Sequence, residues 1–365
     1  SACLVGSEMC IRDRSTNTED RYDLATDGDI AREDFANIVY NISPTETPFQ
    51  SNASRQKATN TLTEWPIDSL ATANASNSRI DGDEFTADAL TAGARLGNYC
   101  NISTKSLIVS RRANIVSKAG RTKELAYQLA KAGKELKRDV EAVLLANTVG
   151  ASGNSTTAST TAGLPAWIGV AVDGEVDTGN TSRGTNGADP ALSGTNDGYP
   201  STAATDGTVR AITEDGLLGI IKACFVNGSS PGVIMVGPTV KQLMSKYMFS
   251  SNARIATPYQ DLSGSKKTGA SVLGAVDVYV SDFGVLEIVP NRFQRQVSSD
   301  YVDAFVLDMD YLAVGYLDEY KTENIATIGD AQRRMLIVDF ALVNKNPAAH
   351  GIYADVDDDT AMTAS

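Results

Sequence analysis

The chain has 365 residues, of which 42% are hydrophobic, enough to bury a sizeable core over two or three domains. Its formal charge is −13, so there is no net positive field to neutralise phosphates, and we expect no sequence-specific nucleic acid binding. The longest apolar runs fall far short of the roughly 20 residues that cross a bilayer, so we expect no membrane partner.

Residues 1–14, SACLVGSEMCIRDR, lack the basic and apolar regions of a secretory signal. They resemble a translated sequencing-adapter read, so we interpret them as an artefact and expect the fold to begin near Thr16. Apolar residues at steps of three and four then predict a short amphipathic helix within Ile30–Ile42. Pro44 and Pro48 follow and predict extended chain, because proline disfavours helix at the residue before it.

Two β-like runs come next, Thr59–Ile67 and Leu96–Val109, separated by about 28 mostly polar residues. Together they predict a long hairpin. A loop of that length is uncommon inside a compact monomer unless it binds something, so we expect a partner subunit to cover it.

The strongest helix signal covers Thr122–Asn147, which is free of proline and rich in Ala, Lys, Glu and Leu. Its apolar side chains form one stripe, which predicts a helix with one buried face. The stripe consists of Leu125, Leu129, Ala132, Leu136, Val140, Val143 and Leu144. The following stretch, Val149–Val209, is rich in Gly, Ser, Thr, Asn and Asp, and we interpret it as surface loops around one apolar anchor, Leu164–Val170.

Shorter alternating elements begin at Thr213. The pattern predicts a helix ending at Asn227-Gly228, a strand at Val233–Val236 and a helix from Thr239 to about Met248. Further strands are predicted at Val276–Val280, Val285–Val289, Ala304–Leu307, Tyr311–Leu317 and Met335–Val343. The acidic stretch Asp355–Asp359 near the carboxyl end predicts disorder.

Signals for catalysis are absent from the sequence. The single histidine, His350, excludes a Ser-His-Asp triad and any multi-histidine metal cage, and we interpret it as a solvated residue. The triplet Asp282-Phe283-Gly284 matches a kinase motif but has none of the accompanying kinase signatures. We therefore expect no enzyme, no cofactor and no metal site.

A basic cluster precedes the long helix and allows two interpretations. Arg111 and Arg112 are followed by Lys118, Arg121 and Lys123. The cluster is either a solvated surface or one half of a salt bridge between subunits.

Several strings in a fixed order resemble a family of major capsid proteins of tailed bacteriophages. The most specific are Asn-Ile-Ser-Pro-Thr-Glu-Thr-Pro at 41–48 and Val-Pro-Asn-Arg-Phe at 289–293. The others are Arg32–Phe35, Cys224–Gly228, Met235–Pro238 and Val278–Gly284. The resemblance covers about residues 22 to 350. It implies an α+β, Hong Kong 97-like capsid fold with an N-arm, an E-loop hairpin, a long spine helix, and peripheral and axial domains.

The resemblance also implies boundaries for these parts. The N-arm takes 15–55, the E-loop 56–110, and the peripheral domain 111–212, with the spine helix and the loop-rich insertion. The axial domain takes 213–310, the return to the peripheral domain 311–350, and the acidic tail 351–365.

The implied function is a structural subunit that self-assembles into the icosahedral head around a double-stranded DNA genome. Expected partners are further copies in pentamers and hexamers and a portal, with a decoration protein as a further candidate. A separate scaffolding protein is expected because few residues precede Phe35. Candidates for contact between subunits are Glu46, Phe49, Trp65, Arg111 and Arg112. The virion capsid, assembled in the bacterial cytoplasm, is the expected location.

Two other classes stay open on sequence alone. A secreted adhesin or surface-layer protein shares the Thr, Asn and Gly-rich composition but should show a signal peptide and repeats. A carboxylate-dependent hydrolase needs a concave site that a sequence does not display.

Overall fold

The computed structural model describes residues 44–70, 73–78, 80–82, 84, 93–116, 123–172, 179–195, 197–248, 277–294, 296–298, 301–327, 329–357 and 359–363. Residues 1–43, which include the helix predicted within Ile30–Ile42, lie outside these ranges. Lys118 and Arg121 of the basic cluster also lie outside them.

One sheet has four strands and joins distant parts of the chain. Its strands are β1 (Ser54–Lys57), β4 (Asn101–Ser110), β13 (Leu312–Ile325) and β14 (Ala331–Asn344). Their order in the sheet is β1-β13-β14-β4, with β1 parallel to β13 and the other pairs antiparallel.

The second large sheet has seven strands. Its strands are β5 (Thr181–Ser182), β8 (Val233–Val236), β9 (Val278–Ser281), β10 (Gly284–Pro290), β11 (Gln296–Ser298), β12 (Tyr301–Leu307) and β15 (Gly351–Asp357). The order is β5-β15-β12-β8-β10-β9, and β11 pairs with β12. Two small antiparallel pairs complete the strands: β2 (Leu62–Ile67) with β3 (Ala94–Tyr99), and β6 (Ala191–Leu192) with β7 (Pro200–Thr202).

The described residues form five α-helices. They are α1 (Pro48–Asn52), α2 (Arg111–Ile115), α3 (Glu124–Leu144), α4 (Glu214–Val226) and α5 (Pro238–Met248). The long helix α3 packs against β4 and β14. Of its predicted stripe, Ala132, Leu136, Val140 and Leu144 are buried.

Local signals explain the ends of α4. Thr213 caps its amino end by accepting a hydrogen bond from the N–H of Gly216 at 3.2 Å, and Glu214 and Asp215 favour the positive end of the helix dipole. At the other end Gly228 has a φ of 84°, the left-handed conformation that ends many helices and suits glycine.

Two apolar cores hold the elements together. The first lies between α3, the four-stranded sheet and the anchor around Leu164–Val170, where Trp167 is fully buried. The second lies between α4, α5 and one face of the seven-stranded sheet. Gly163 lets the anchor approach α3, because a Cβ at this position would overlap the carbonyl oxygen of Ala146.

Most predicted helices and strands are found, including the helix from 213, the strand Val233–Val236 and the long hairpin. The predicted run Leu96–Val109 divides at Cys100, because β3 pairs within the hairpin and β4 joins the four-stranded sheet. The extended chain predicted after Pro44 is interrupted by α1. Pro48 starts this helix, since the first helical position needs no N–H donor.

The prediction of disorder at Asp355–Asp359 is wrong for its first residues. Residues 351–357 form β15, which pairs with β12 inside the seven-stranded sheet. Asp355 is buried and accepts a hydrogen bond from the N–H of Gly184 at 2.9 Å. The apolar residues Ile352, Tyr353 and Val356 are all buried, and their burial outweighs the acidic composition.

Candidate functional site: the Glu141 junction

A buried carboxylate on the long helix holds the start of α1. Glu141 is fully buried near the carboxyl end of α3. Its Oε1 accepts a hydrogen bond from the backbone N–H of Phe49 at 2.8 Å, and its Oε2 accepts one from the N–H of Gln50 at 2.9 Å. These N–H groups lie in the first turn of a helix, where they have no partner within the helix. Since Thr47 makes no side-chain cap, Glu141 takes that role from 91 residues away.

The same carboxylate is reached from the seven-stranded sheet. Asn291, which directly follows β10, donates from Nδ2 to Oε1 of Glu141 at 2.8 Å. Its own backbone N–H donates to the carbonyl of Val236 at the end of β8, at 2.9 Å. We call Phe49, Gln50, Glu141 and Asn291 the Glu141 junction.

Two neighbouring contacts reinforce the junction. The Arg138 guanidinium, one turn before Glu141, lies 5.1 Å from the ring centroid of Phe293, which is a cation–π distance. The Gln50 side chain donates from Nε2 to the Tyr320 hydroxyl on β13 at 2.8 Å. The junction therefore connects the long helix, α1 and both large sheets.

The electrostatics of Glu141 reflect two opposing effects. Burial raises the pKa of this carboxyl group, because removing the ionised form from water costs free energy. The hydrogen bonds from Gln50, Phe49 and Asn291 favour the ionised form and lower the pKa. Burial is the larger effect.

Two of the five predicted contact residues lie inside the chain. Phe49 is fully buried and Trp65 is 8% exposed, and both belong to the core beneath α3. The Trp65 ring lies 5.6 Å from the Trp167 ring, tilted by 41°. Both side chains therefore contribute to the core of the chain itself, and a role of Phe49 and Trp65 in contacts between subunits stays a prediction.

The other three predicted residues are on the surface. Glu46, Arg111 and Arg112 are exposed. Arg111 forms an ion pair within the chain, from Nε to Oδ1 of Asp330 at 2.7 Å. A role of these residues in contacts between subunits stays a prediction.

His350 is fully buried, so its interpretation as a solvated residue is wrong. Its Nδ1 accepts a hydrogen bond from the N–H of Asp308 at 3.3 Å, and its Nε2 lies 3.1 Å from Oδ1 of Asn344. These partners favour the neutral ring with its proton on Nε2. Burial lowers the pKa of His350 to about 4.

Other chemistry finds little support in the described part of the chain. No three His, Cys, Asp or Glu side chains gather there into a group able to hold a metal ion. None of the helices described has the length and apolarity needed to span a membrane.

A family model described as SU10 major capsid protein matches residues 14–357. The chain belongs to this family. Membership in the SU10 major capsid protein family confirms the expected class of structural protein and gives the adhesin alternative no support.

Known relatives of this SU10-family chain agree with that assignment. It is 36% identical over 111 residues to the major capsid protein of Escherichia phage Phieco32. That match spans 30% of this chain and 32%, about a third, of the relative.

Solved structures confirm the fold of the SU10-family chain. The capsid of the native GTA particle matches with a TM-score of 0.57 at 9% identity, covering 92% of this chain and 98% of the other. A chain of Gordonia phage Cozz matches with a TM-score of 0.55 at 14% identity, covering 90% and 91%. The expected α+β, Hong Kong 97-like capsid fold is confirmed.

Sequence reasoning missed the central residue of the junction. The strings at 41–48 and 289–293 are the most specific marks of the resemblance, yet their meeting point on Glu141 is not visible in either string. The available signal was an acidic residue between Val140 and Leu144, two members of the apolar stripe. A carboxylate at that position must find buried donors.

Proposed function

We propose that this chain is the shell subunit of the icosahedral head that encloses the double-stranded DNA of a tailed bacteriophage. The observation that carries the proposal is the hairpin of β2 and β3. Its connecting segment includes Leu70 at 95% and Ile80 at 78% exposure. Both side chains stand exposed on one long hairpin, which suits a segment that lies over a neighbouring subunit. A neighbouring subunit in a shell would cover them.

The elements of the fold are consistent with the domain boundaries that the resemblance implies. Residues 15–55 would be the N-arm and 56–110 the E-loop, lying over a neighbouring subunit. The peripheral domain would combine 111–212 with 311–350, since α3 of the first range packs on β14 of the second. The axial domain would take 213–310, and β15 in the tail 351–365 would extend its sheet.

Assembly would give pentamers and hexamers of this chain. We further propose a separate scaffolding protein and a portal as partners, with a decoration protein as a further candidate, and assembly in the cytoplasm of the host. The charge of −13 supports a shell that does not adhere to its DNA, because packaging by a motor requires no binding by the wall.

Electron microscopy with light scattering tests the proposal. The full chain is expressed alone and together with its scaffolding partner. Closed shells, or at least pentamers and hexamers, are expected in one of the two conditions. A chain that stays monomeric in both would contradict the proposal, and hydrolytic activity in that monomer would favour an enzyme.

A further inference from the structure

We infer that Glu141 couples helix α1 to the 291–294 loop that follows β10, so that weakening the hydrogen bonds of either segment destabilises the other. The inference concerns a single chain. It goes beyond shell formation and stands or falls independently of it.

Both segments share one acceptor group. Oε1 of Glu141 receives both the Phe49 N–H and the Asn291 amide, each at 2.8 Å, and Oε2 receives the Gln50 N–H. The donors come from positions 92 and 150 residues away along the chain, and α3 brings them together.

Glu141 is buried without exposed surface. An ionised carboxylate in such a position depends on each of its donors, because water cannot replace one that leaves. Losing the Asn291 donor therefore destabilises the ionised group that holds α1, and losing α1 destabilises the group that holds Asn291. Hydrogen bonds to one charged group in a site of low polarity are not independent.

Each of the two segments is connected to one of the large sheets. Directly after α1 the chain enters β1, which pairs with β13 of the four-stranded sheet. Asn291 is bonded to the end of β8, in the middle of the seven-stranded sheet. A displacement of either the four-stranded or the seven-stranded sheet therefore affects the other through the hydrogen bonds of Glu141.

Hydrogen exchange measured by mass spectrometry on the full-length chain tests the coupling. The decisive variant is Asn291→Ala, which lies outside α1 and removes one donor to Glu141, together with the Oδ1 that accepts the Phe293 N–H within the loop. Peptides covering 48–57 are expected to exchange about tenfold faster in the variant, since a hydrogen bond to a charged group is worth about a factor of ten or more. Glu141→Gln, which removes the charge, is expected to accelerate exchange in both 48–57 and 289–294.

A matched control separates coupling from general loosening of the loop. Ile288→Val removes a buried methyl group from the same strand, β10, and leaves the Asn291 amide in place. It is expected to leave the exchange of 48–57 unchanged. Peptides of α4, in the second core, report whether each variant remains folded.

Two results would overturn the inference. The first is faster exchange around 291 in Asn291→Ala with 48–57 unchanged, because the loop would then loosen without the arm. The second is equal acceleration of 48–57 by Asn291→Ala and Ile288→Val, because the arm would then respond to any weakening of β10. If Glu141→Gln does not fold, the comparison of Asn291→Ala with Ile288→Val still decides.

Discussion

At the scale of single residues, the buried groups make the sharpest predictions. His350 is neutral and fully enclosed, with its Nδ1 acting as an acceptor for the Asp308 N–H. A second ring proton would remove that acceptor and place a charge in the core.

We therefore expect stability to fall as the pH decreases through the range that His350 sets. Its folded pKa, about 4, lies below the ordinary value of 6.5. Above 6.5 neither state is protonated, and below it the unfolded chain alone takes up the proton until about pH 4. The predicted loss from this residue is about 3 kcal/mol, measured by urea unfolding across that range.

The control is His350→Gln, whose side chain supplies an amide donor and a carbonyl acceptor in place of the two ring nitrogens but does not titrate. The difference in unfolding free energy between wild type and variant isolates the histidine from the many carboxylates. A difference that stays constant from about pH 7 to about pH 4 would contradict the prediction.

Trp65 gives a second prediction at this scale. Its ring packs on Trp167 in the first core, so Trp65→Ala is expected to lower the free energy of unfolding by about 3–5 kcal/mol. Leu70→Ala, in the same hairpin but almost fully exposed, should change it by about 0.5 kcal/mol or less. A Trp65→Ala chain that unfolds like wild type but fails to assemble would support the prediction that Trp65 makes contacts between subunits.

At the scale of elements, we expect the stability of α3 to depend on its apolar stripe. Leu136 is fully buried on its stripe, so Leu136→Ala should cost about 2–5 kcal/mol, while the exposed neighbour Lys137→Ala should stay within about 0.5 kcal/mol. Thermal or urea unfolding of the two variants checks the predicted difference. Equal effects would mean that the helix does not depend on its apolar stripe.

The elements also show how far sequence reasoning reaches. Periodicity predicted α3, α4, α5 and the hairpin because each depends on contacts that repeat along one segment. It failed at β15, where burial in a sheet overrode an acidic composition, and at His350, whose hydrogen-bond partners are Asp308, directly after β12, and Asn344, at the end of β14. The Glu141 junction could not be predicted because its donors lie 92 and 150 residues from the carboxylate.

At the scale of the whole molecule, charge bears on assembly. Each copy carries −13, so copies repel one another, and added salt screens that repulsion. We expect the fraction assembled, measured by light scattering, to rise as ionic strength increases from about 0.05 to about 0.3 M. A fall over the same range would indicate that ion pairs between subunits dominate.

The exposed basic pair allows that possibility to be tested directly. Arg111 forms an exposed ion pair with Asp330, which contributes little to folding because solvent screens the two charges. If the two arginines contribute to contacts between subunits, Arg112→Ala should reduce assembly more than Arg111→Ala, because Arg111 is already engaged by Asp330. Both variant monomers should stay folded. Equal assembly of both variants and wild type would assign the pair to the solvated surface.

The strand order of the four-stranded sheet bears on synthesis. β1 and β4 emerge from the ribosome early, but their partners β13 and β14 are among the last elements translated. At about 5–20 residues per second, the nascent chain exposes the apolar stripe of α3 for roughly 10 to 40 seconds before its sheet can close. The four-stranded sheet therefore closes only once β14 has been translated, and we expect the chain's need for chaperones to be greatest before that point.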